Sequence, residues 1–177
     1  MKQKILLAFL TIASFLMMFL SERPIYFALP LWILLSALCY YDFKTMKLPN
    51  SLTLAVLLLG LVYSLFSNQD PLLTGISFLI STCFLLMVSY SYYKLRGYHG
   101  LGMGDVKLFA AGSVWLSPYL LPIVLLISSL TAILYFILIM SNKDNAFLNQ
   151  KIPYGPFLAI AIWLTWLSGD EILYYLQ

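Results

Sequence analysis

Two of the seven acidic residues stand at the edges of long apolar stretches. Asp42 directly follows the run LWILLSALCYY, and Asp105 lies in GLGMGDVKL between two apolar blocks. Two carboxylates held close together do not both ionise readily, so one keeps a proton while the other is charged. The charged acid can then take a proton from water while the protonated acid hydrogen-bonds a scissile carbonyl. Held together, Asp42 and Asp105 could do the chemistry of an aspartic peptidase.

Each acid also has a structural interpretation that the residues alone leave open. Asp105 at the start of a helix could be an N-cap, since free backbone N–H groups and the helix dipole stabilise an acid there. Asp42 could balance Lys44 or Lys47 at a membrane interface. The glycines before Asp105 are typical of a turn that needs positive φ. Their functional interpretation is that missing side chains let an extended substrate backbone approach Asp105.

The elements that would position these acids are predicted to be membrane helices. Hydrophobic residues make up 62% of the 177 residues and only 10% are charged, with a mean hydropathy of +0.92. Backbone groups in lipid must be satisfied internally, so the apolar blocks are expected to be helices. The seven blocks are residues 4–20, 24–41, 51–66, 72–93, 104–117, 119–140 and 154–169. The predicted fold is all-α, a polytopic membrane helix bundle with about seven transmembrane helices.

The charges of the connecting segments predict the orientation of this bundle. With a cytoplasmic N-terminus, nine of the ten basic residues fall on the cytoplasmic side and only Arg23 falls outside. One outward and one returning helix separate Asp42 from Asp105, so both acids are expected on the same, cytoplasmic face. Glu22, Asp70, Asp170 and Glu171 are then expected in outside loops or in the tail. The thirteen residues from 105 to 117 span only about 20 Å, so the glycine loop and Asp105 are expected to line a polar cavity on the cytoplasmic side.

No linker marks a second domain, so residues 1–177 are predicted to form a single integral-membrane domain, with residues 1–23 as an uncleaved extra helix. Cys39 and Cys83 lie singly in apolar blocks, which predicts neither a disulfide framework nor a CxxC metal site. GLGMGD does not match the nucleotide-binding glycine patterns. His99 is expected to be a solvated loop residue. No metal, no cofactor and no nucleic-acid partner is predicted.

Three stretches, in order, are similar to the motifs of one known family. YDFKTMKLPNSLTL resembles the first aspartate segment of the type IV prepilin peptidases, GMGDVKL their G-x-G-D-x-K-L signature, and KIPYGPFLAIA their I-P-F-G-P-F-L-A segment. This family belongs to the wider group of G-x-G-D intramembrane aspartyl proteases. The resemblance covers about residues 28–177. It implies catalytic Asp42 and Asp105, with Gly102 and Gly104 as the motif glycines.

The resemblance also implies a substrate and a location. Family members cleave the basic leader from type IV prepilins, and from pseudopilins of type II secretion, at the cytoplasmic face of the bacterial inner membrane. The expected partners are the lipid bilayer and a substrate with a basic leader and an apolar helix. Lys107 lies near the predicted site, and the matching third segment supplies Pro153, Gly155 and Pro156 as supporting residues.

The chain departs from the larger family members in one respect. Their extra N-terminal region carries paired CxxC motifs, linked to a zinc site and to N-methylation of the new N-terminus. The present sequence has no CxxC, so peptidase activity without N-methyltransferase activity is expected. The competing class is a non-enzymatic membrane component, for proton-coupled transport or assembly, in which the two acids relay protons.

Overall fold

The computed structural model of the chain describes residues 15–16, 18–19, 21, 23–97, 100–140 and 153–176. Its helices are α1 Ile25–Thr45, α2 Asn50–Phe66, α3 Pro71–Arg96, α4 Met103–Ser113, α5 Leu121–Met140 and α6 Gly155–Leu176. A short 3-10 turn, Pro118–Leu120, precedes α5. Over these described ranges the chain forms no strand, and the predicted all-α class is confirmed. The predicted helix at 4–20 lies largely outside the described residues, so the total of about seven stays a prediction.

Several predicted boundaries were wrong, and two of them change where residues of interest lie. The block predicted at 104–117 is helical only to Ser113, and the chain then turns before Pro118. The last helix continues to Leu176, well beyond residue 169. Asp170 and Glu171, predicted in a tail, therefore lie within α6. The apolar residues after Glu171 continue the helical pattern, which explains why two acids do not end it.

Within the described part of the chain, three segments are long and apolar enough to cross a membrane: Ile25–Thr45, Pro71–Arg96 and Pro118–Ile137. Asn50–Phe66 and Gly155–Gly169 are shorter apolar helices. The eleven residues of α4 span only about 16 Å at 1.5 Å per residue, and α4 is not among these segments. The structure thus has the helices of a membrane protein, with a short helix at its centre.

The central position of α4 follows from its small and apolar residues. Every residue from Leu108 to Ser113 is buried, and α2, α3 and α6 all pack against this helix. Gly112 lies directly against the Ile162 side chain of α6. Ser81 of α3 donates to Ser113 Oγ over 2.9 Å. Small side chains on α4 allow the neighbouring helices to approach closely, as is usual in membrane bundles.

Aromatic rings fill the bundle at the end of α4 that is far from Asp105. Trp115 stacks on Tyr63 with ring centroids 5.1 Å apart and meets Trp166 edge-on at 5.4 Å. The Trp115 indole N–H donates to the Val56 carbonyl of α2 at 3.1 Å. Gly60 makes room for it, since a Cβ there would lie 2.6 Å from Trp115 Nε1. We call Tyr63, Trp115 and Trp166 the aromatic end of the bundle.

Candidate active site

Asp42 lies in the last turn of α1 and is buried, with 5% of its surface exposed. Its Oδ2 accepts a hydrogen bond from the Gly155 backbone N–H at 3.0 Å. The helix ends three residues later at Thr45, and the C-cap residue Met46 adopts left-handed φ (54°) and donates its N–H to the Asp42 carbonyl. The Asp42 carboxylate thus lies in the protein interior and has a backbone donor.

Gly155 approaches Asp42 closely because it has no side chain. A Cβ at this position would lie 2.7 Å from Asp42 Oδ2 and 3.1 Å from its Cγ, closer than atoms can pack without a shift. Gly155 is also the first residue of α6, where helical N–H groups have no partner within the helix. Pro156 carries no N–H, and the Phe157 N–H bonds to the Tyr154 carbonyl. The Gly155 N–H is therefore the donor that α6 offers to Asp42.

Asp105 lies in the first turn of α4 and is half-buried. The structural interpretation of Asp105 as N-cap was wrong, because Gly102 is the N-cap. The Asp105 carboxylate reaches back to the Gly102 backbone, in the manner of the third residue of a capping box. A Cβ on Gly102 would lie 2.9 Å from Asp105 Oδ2. The acid therefore supports the start of α4 and remains beside the loop that leads into it.

The electrostatic environment of Asp105 favours its protonated form. Burial, followed by the charge of Asp42, raises the pKa of Asp105 to about 7, while the hydrogen bond from the Gly102 backbone acts in the opposite direction. Burial disfavours a charge, and a like charge nearby disfavours it further. The charge of Asp42 thus acts on Asp105, and the catalytic role of the pair stays a prediction.

Leu48 connects the surroundings of the two acids. It lies in the loop between α1 and α2, and its Cβ is 3.0 Å from the place that a Cβ on Gly104 would occupy. Its Cδ1 is 3.3 Å from the corresponding place on Gly155, which itself contacts Asp42. The space beside Gly104 is thus filled by Leu48. We call Asp42, Leu48, Asp105 and Gly155 the acid end of the bundle.

Lys107, a predicted supporting residue, lies at the edge of this end. Its side chain is exposed and donates to Asn50 Oδ1 of α2 at 2.9 Å. Both residues line an open, largely apolar groove of about 350 Å³ between α2, α3 and α4. Lys107 therefore links α4 to α2 through this contact with an amide oxygen.

The third predicted motif is anchored at several points. Pro153 is half-buried and Pro156 is buried, with its carbonyl 4.0 Å from Cys39 Sγ of α1. The Tyr154 hydroxyl lies 2.6 Å from Ser128 Oγ of α5. Sequence reasoning missed Leu48, Tyr154 and Ser128 as part of this region. The first two stand inside the quoted motifs, whereas an isolated serine in an apolar helix carries no signal.

In the described part of the chain, no three His, Cys, Asp or Glu side chains lie close enough together to hold a metal ion. His99, expected to be a solvated loop residue, lies outside the described residues.

The sequence of the chain is similar to one protein family and to several curated relatives. The model of the type IV leader peptidase family matches residues 28–137. A prepilin leader peptidase/N-methyltransferase of Aeromonas salmonicida is 40% identical over 143 residues, which are 80% of this chain and 48% of that protein. Proteins of the same name from Dichelobacter nodosus and Pseudomonas aeruginosa are 35% and 37% identical, over 82% and 80% of this chain and 50% and 48% of their own lengths. The chain thus spans about half the length of these curated relatives. No solved structure matches it.

Proposed function

The chain belongs to the type IV leader peptidase family, and we propose that it is a membrane-embedded aspartic endopeptidase that removes the basic leader from prepilins or pseudopilins. The relatives are named for prepilin leader peptidase activity. The observation that carries the proposal is the paired environment of the two acids. Asp42 is buried with a backbone donor, and its charge helps to raise the pKa of Asp105 to about 7.

The proposed reaction needs no covalent intermediate. The ionised acid takes a proton from a water molecule, whose oxygen attacks the scissile carbonyl carbon, while the protonated acid gives its proton to the carbonyl oxygen. A gem-diol results. The first acid then protonates the leaving nitrogen and the second takes back a proton from one hydroxyl as the C–N bond breaks. Both acids return to their starting states, so the pair turns over.

The proposed cleavage takes place at the cytoplasmic face of the bacterial inner membrane, in a multi-pass protein whose core is residues 28–177. A substrate with a basic leader and an apolar helix would present its cleavage site where the helix leaves the lipid. The relatives carry two activities in their names and align over about half of their length. The proposal accordingly concerns the peptidase activity, with Gly102, Gly104, Lys107, Pro153, Gly155 and Pro156 in supporting roles.

The test is co-expression with a prepilin that carries its leader, followed by measurement of the processed fraction. Asp42→Asn and Asp105→Asn should each reduce cleavage by about 1000-fold, because each removes one proton-transfer group. The matched control is Asp70→Asn, since Asp70 caps α3 through the Leu72 N–H at 2.9 Å and belongs to the opposite end of the bundle. Normal processing by both Asp42 and Asp105 variants would show the assignment to be wrong.

The same variants address the competing proton relay. Purified protein in liposomes with a trapped pH indicator would carry a proton flux that depends on Asp42 or Asp105 if the chain were a proton-coupled transport component. Leader cleavage without such a flux supports the peptidase.

A further inference from the structure

The turn at residues 153–156, which the proposed reaction does not itself use, is tied to two neighbouring helices. Tyr154 reaches Ser128 Oγ of α5 through its hydroxyl at 2.6 Å. The next residue, Gly155, gives its N–H to Asp42 of α1 at 3.0 Å. Ser128 is fully buried. A single turn thus connects a hydroxyl pair on one side to an acid of the candidate site on the other.

This turn favours the charged form of one acid more than that of the other. A hydrogen bond from a backbone N–H favours the charged form of a carboxylate, and the start of a helix adds a favourable dipole. Asp42 receives both from α6, whose residues 155–176 are helical. Asp105 also lies at a helix start, but burial and the charge of Asp42 hold its pKa at about 7. The two environments therefore differ in the sense that favours the charge on Asp42 and the proton on Asp105.

We propose that the turn at residues 153–156 is the positioning element of Asp42, and that it makes Asp42 the ionised acid that takes the proton from water. The Gly155 N–H donates to Oδ2 of Asp42, which leaves Oδ1 to accept the proton from water. Tyr154 and Ser128 are positioning residues, because they hold the turn and do not touch the reacting atoms. Asp105 is then the acid that donates to the carbonyl oxygen. This inference rests on the proposed peptidase function.

The groups that interact electrostatically with Asp42 bear on any pH dependence. They are Asp105, from α4, and Cys39, one turn earlier on α1. Neither is altered by a change at Tyr154 or Ser128, whose hydroxyls bond to each other. Removing one of these hydroxyls therefore loosens the turn and leaves the other titratable groups in place.

The experiment measures initial cleavage rates of purified full-length protein against pH and against prepilin concentration. Tyr154→Phe and Ser128→Ala should each lower kcat about 10-fold with an unchanged KM, because a small misplacement of a catalytic group is costly. The pH at which activity falls on the acidic side should rise by about half a unit, since a looser turn favours the charged form of Asp42 less. The double variant should match either single one, because both remove the same bond.

The matched control is Thr131→Val. Its hydroxyl lies on α5 close to Ser128 and, among the residues that the structure describes, bonds to the carbonyls of Ile127 and Ser128 in its own helix. This variant should keep the wild-type rate and pH profile. A rate loss in Tyr154→Phe and Ser128→Ala with an unshifted acidic limb would overturn the proposal, since it indicates a structural role only.

Two further outcomes separate this inference from the proposed function. Wild-type behaviour of both hydroxyl variants, together with loss of cleavage in Asp42→Asn, would overturn the positioning role and leave the peptidase assignment standing. A shift confined to the alkaline limb would reverse the roles given to the two acids. Normal cleavage by Asp42→Asn would overturn the proposed function, and with it the positioning role.

Discussion

The two ends of the bundle use glycine and a charged residue in opposite ways. At the aromatic end, Gly60 makes room for the Trp115 ring, and the guanidinium of Arg23 lies over the Trp166 ring at 5.7 Å while its Nε bonds to the Trp166 carbonyl. At the acid end, Gly155 brings a backbone N–H to Asp42. The glycine in one case lets large side chains pack, and in the other leaves a carboxylate accessible to a donor.

This difference separates the parts of the molecule that stabilise it from the parts that do chemistry. The aromatic end holds three large rings in mutual contact, a strongly stabilising arrangement. The acid end buries one carboxylate and half-buries another, which is unfavourable for stability and is typical of functional sites. We therefore expect changes at the two ends to affect different measurements.

The largest expected effect is on stability, at the aromatic end. Trp115→Ala should lower the free energy of unfolding by about 3–5 kcal/mol, because it leaves a cavity in a fully buried cluster. Thermal unfolding in detergent measures the change. Tyr119→Ala is the matched control, since Tyr119 is an exposed aromatic of the same end. Loss of cleavage per folded molecule in Trp115→Ala would show that the ends are coupled.

The next effect is on catalysis, at the acid end. Gly155→Ala should reduce kcat by about 100-fold. The added Cβ would lie 2.7 Å from Asp42 Oδ2 and would therefore displace the carboxylate. Unfolding temperature should change far less than activity. Gly75→Ala on α3, where a Cβ meets nothing within 4 Å, is the matched control and should keep full activity. A folded Gly155→Ala protein with normal cleavage would contradict the importance of this close approach.

A smaller effect distinguishes two roles for Gly104. Gly104→Val should impair cleavage about 10-fold by pushing Leu48, whose Cβ lies 3.0 Å from the added atom. Leu48→Ala in the same chain should then restore most of the activity, because the displaced side chain is shortened. If Leu48→Ala does not restore activity, the valine side chain obstructs the substrate backbone instead. That outcome would support the prediction that the glycines let a substrate approach Asp105.

Much of this comparison was accessible from the sequence, and the remainder depends on tertiary contacts. The apolar blocks predicted helices, because lipid forces each segment to satisfy its own backbone. The class and the family were predicted correctly. The count of one outward and one returning helix between Asp42 and Asp105 predicted that both acids lie on one face. The bond from Gly155 to Asp42 joins residues 113 positions apart, which no local pattern encodes. The ends of α4 and α6 were missed because apolar composition alone does not mark where a helix turns or continues.

The smallest expected effect concerns the proton on Asp105. Because the pKa of Asp105 is raised to about 7, the folded protein binds more protons than the unfolded chain between about pH 4 and 7. Stability should therefore fall as the pH rises through this window. Asp105→Asn removes this group, so the unfolding temperature of the variant should exceed that of the wild type by about 3 °C at pH 8 and differ less at pH 5.

The control is Glu171→Gln, because Glu171 is an exposed acid of α6. This variant should follow the wild-type curve. Parallel curves for Asp105→Asn and wild type would mean that Asp105 does not hold the proton, and the unequal roles of the two acids would fail with it.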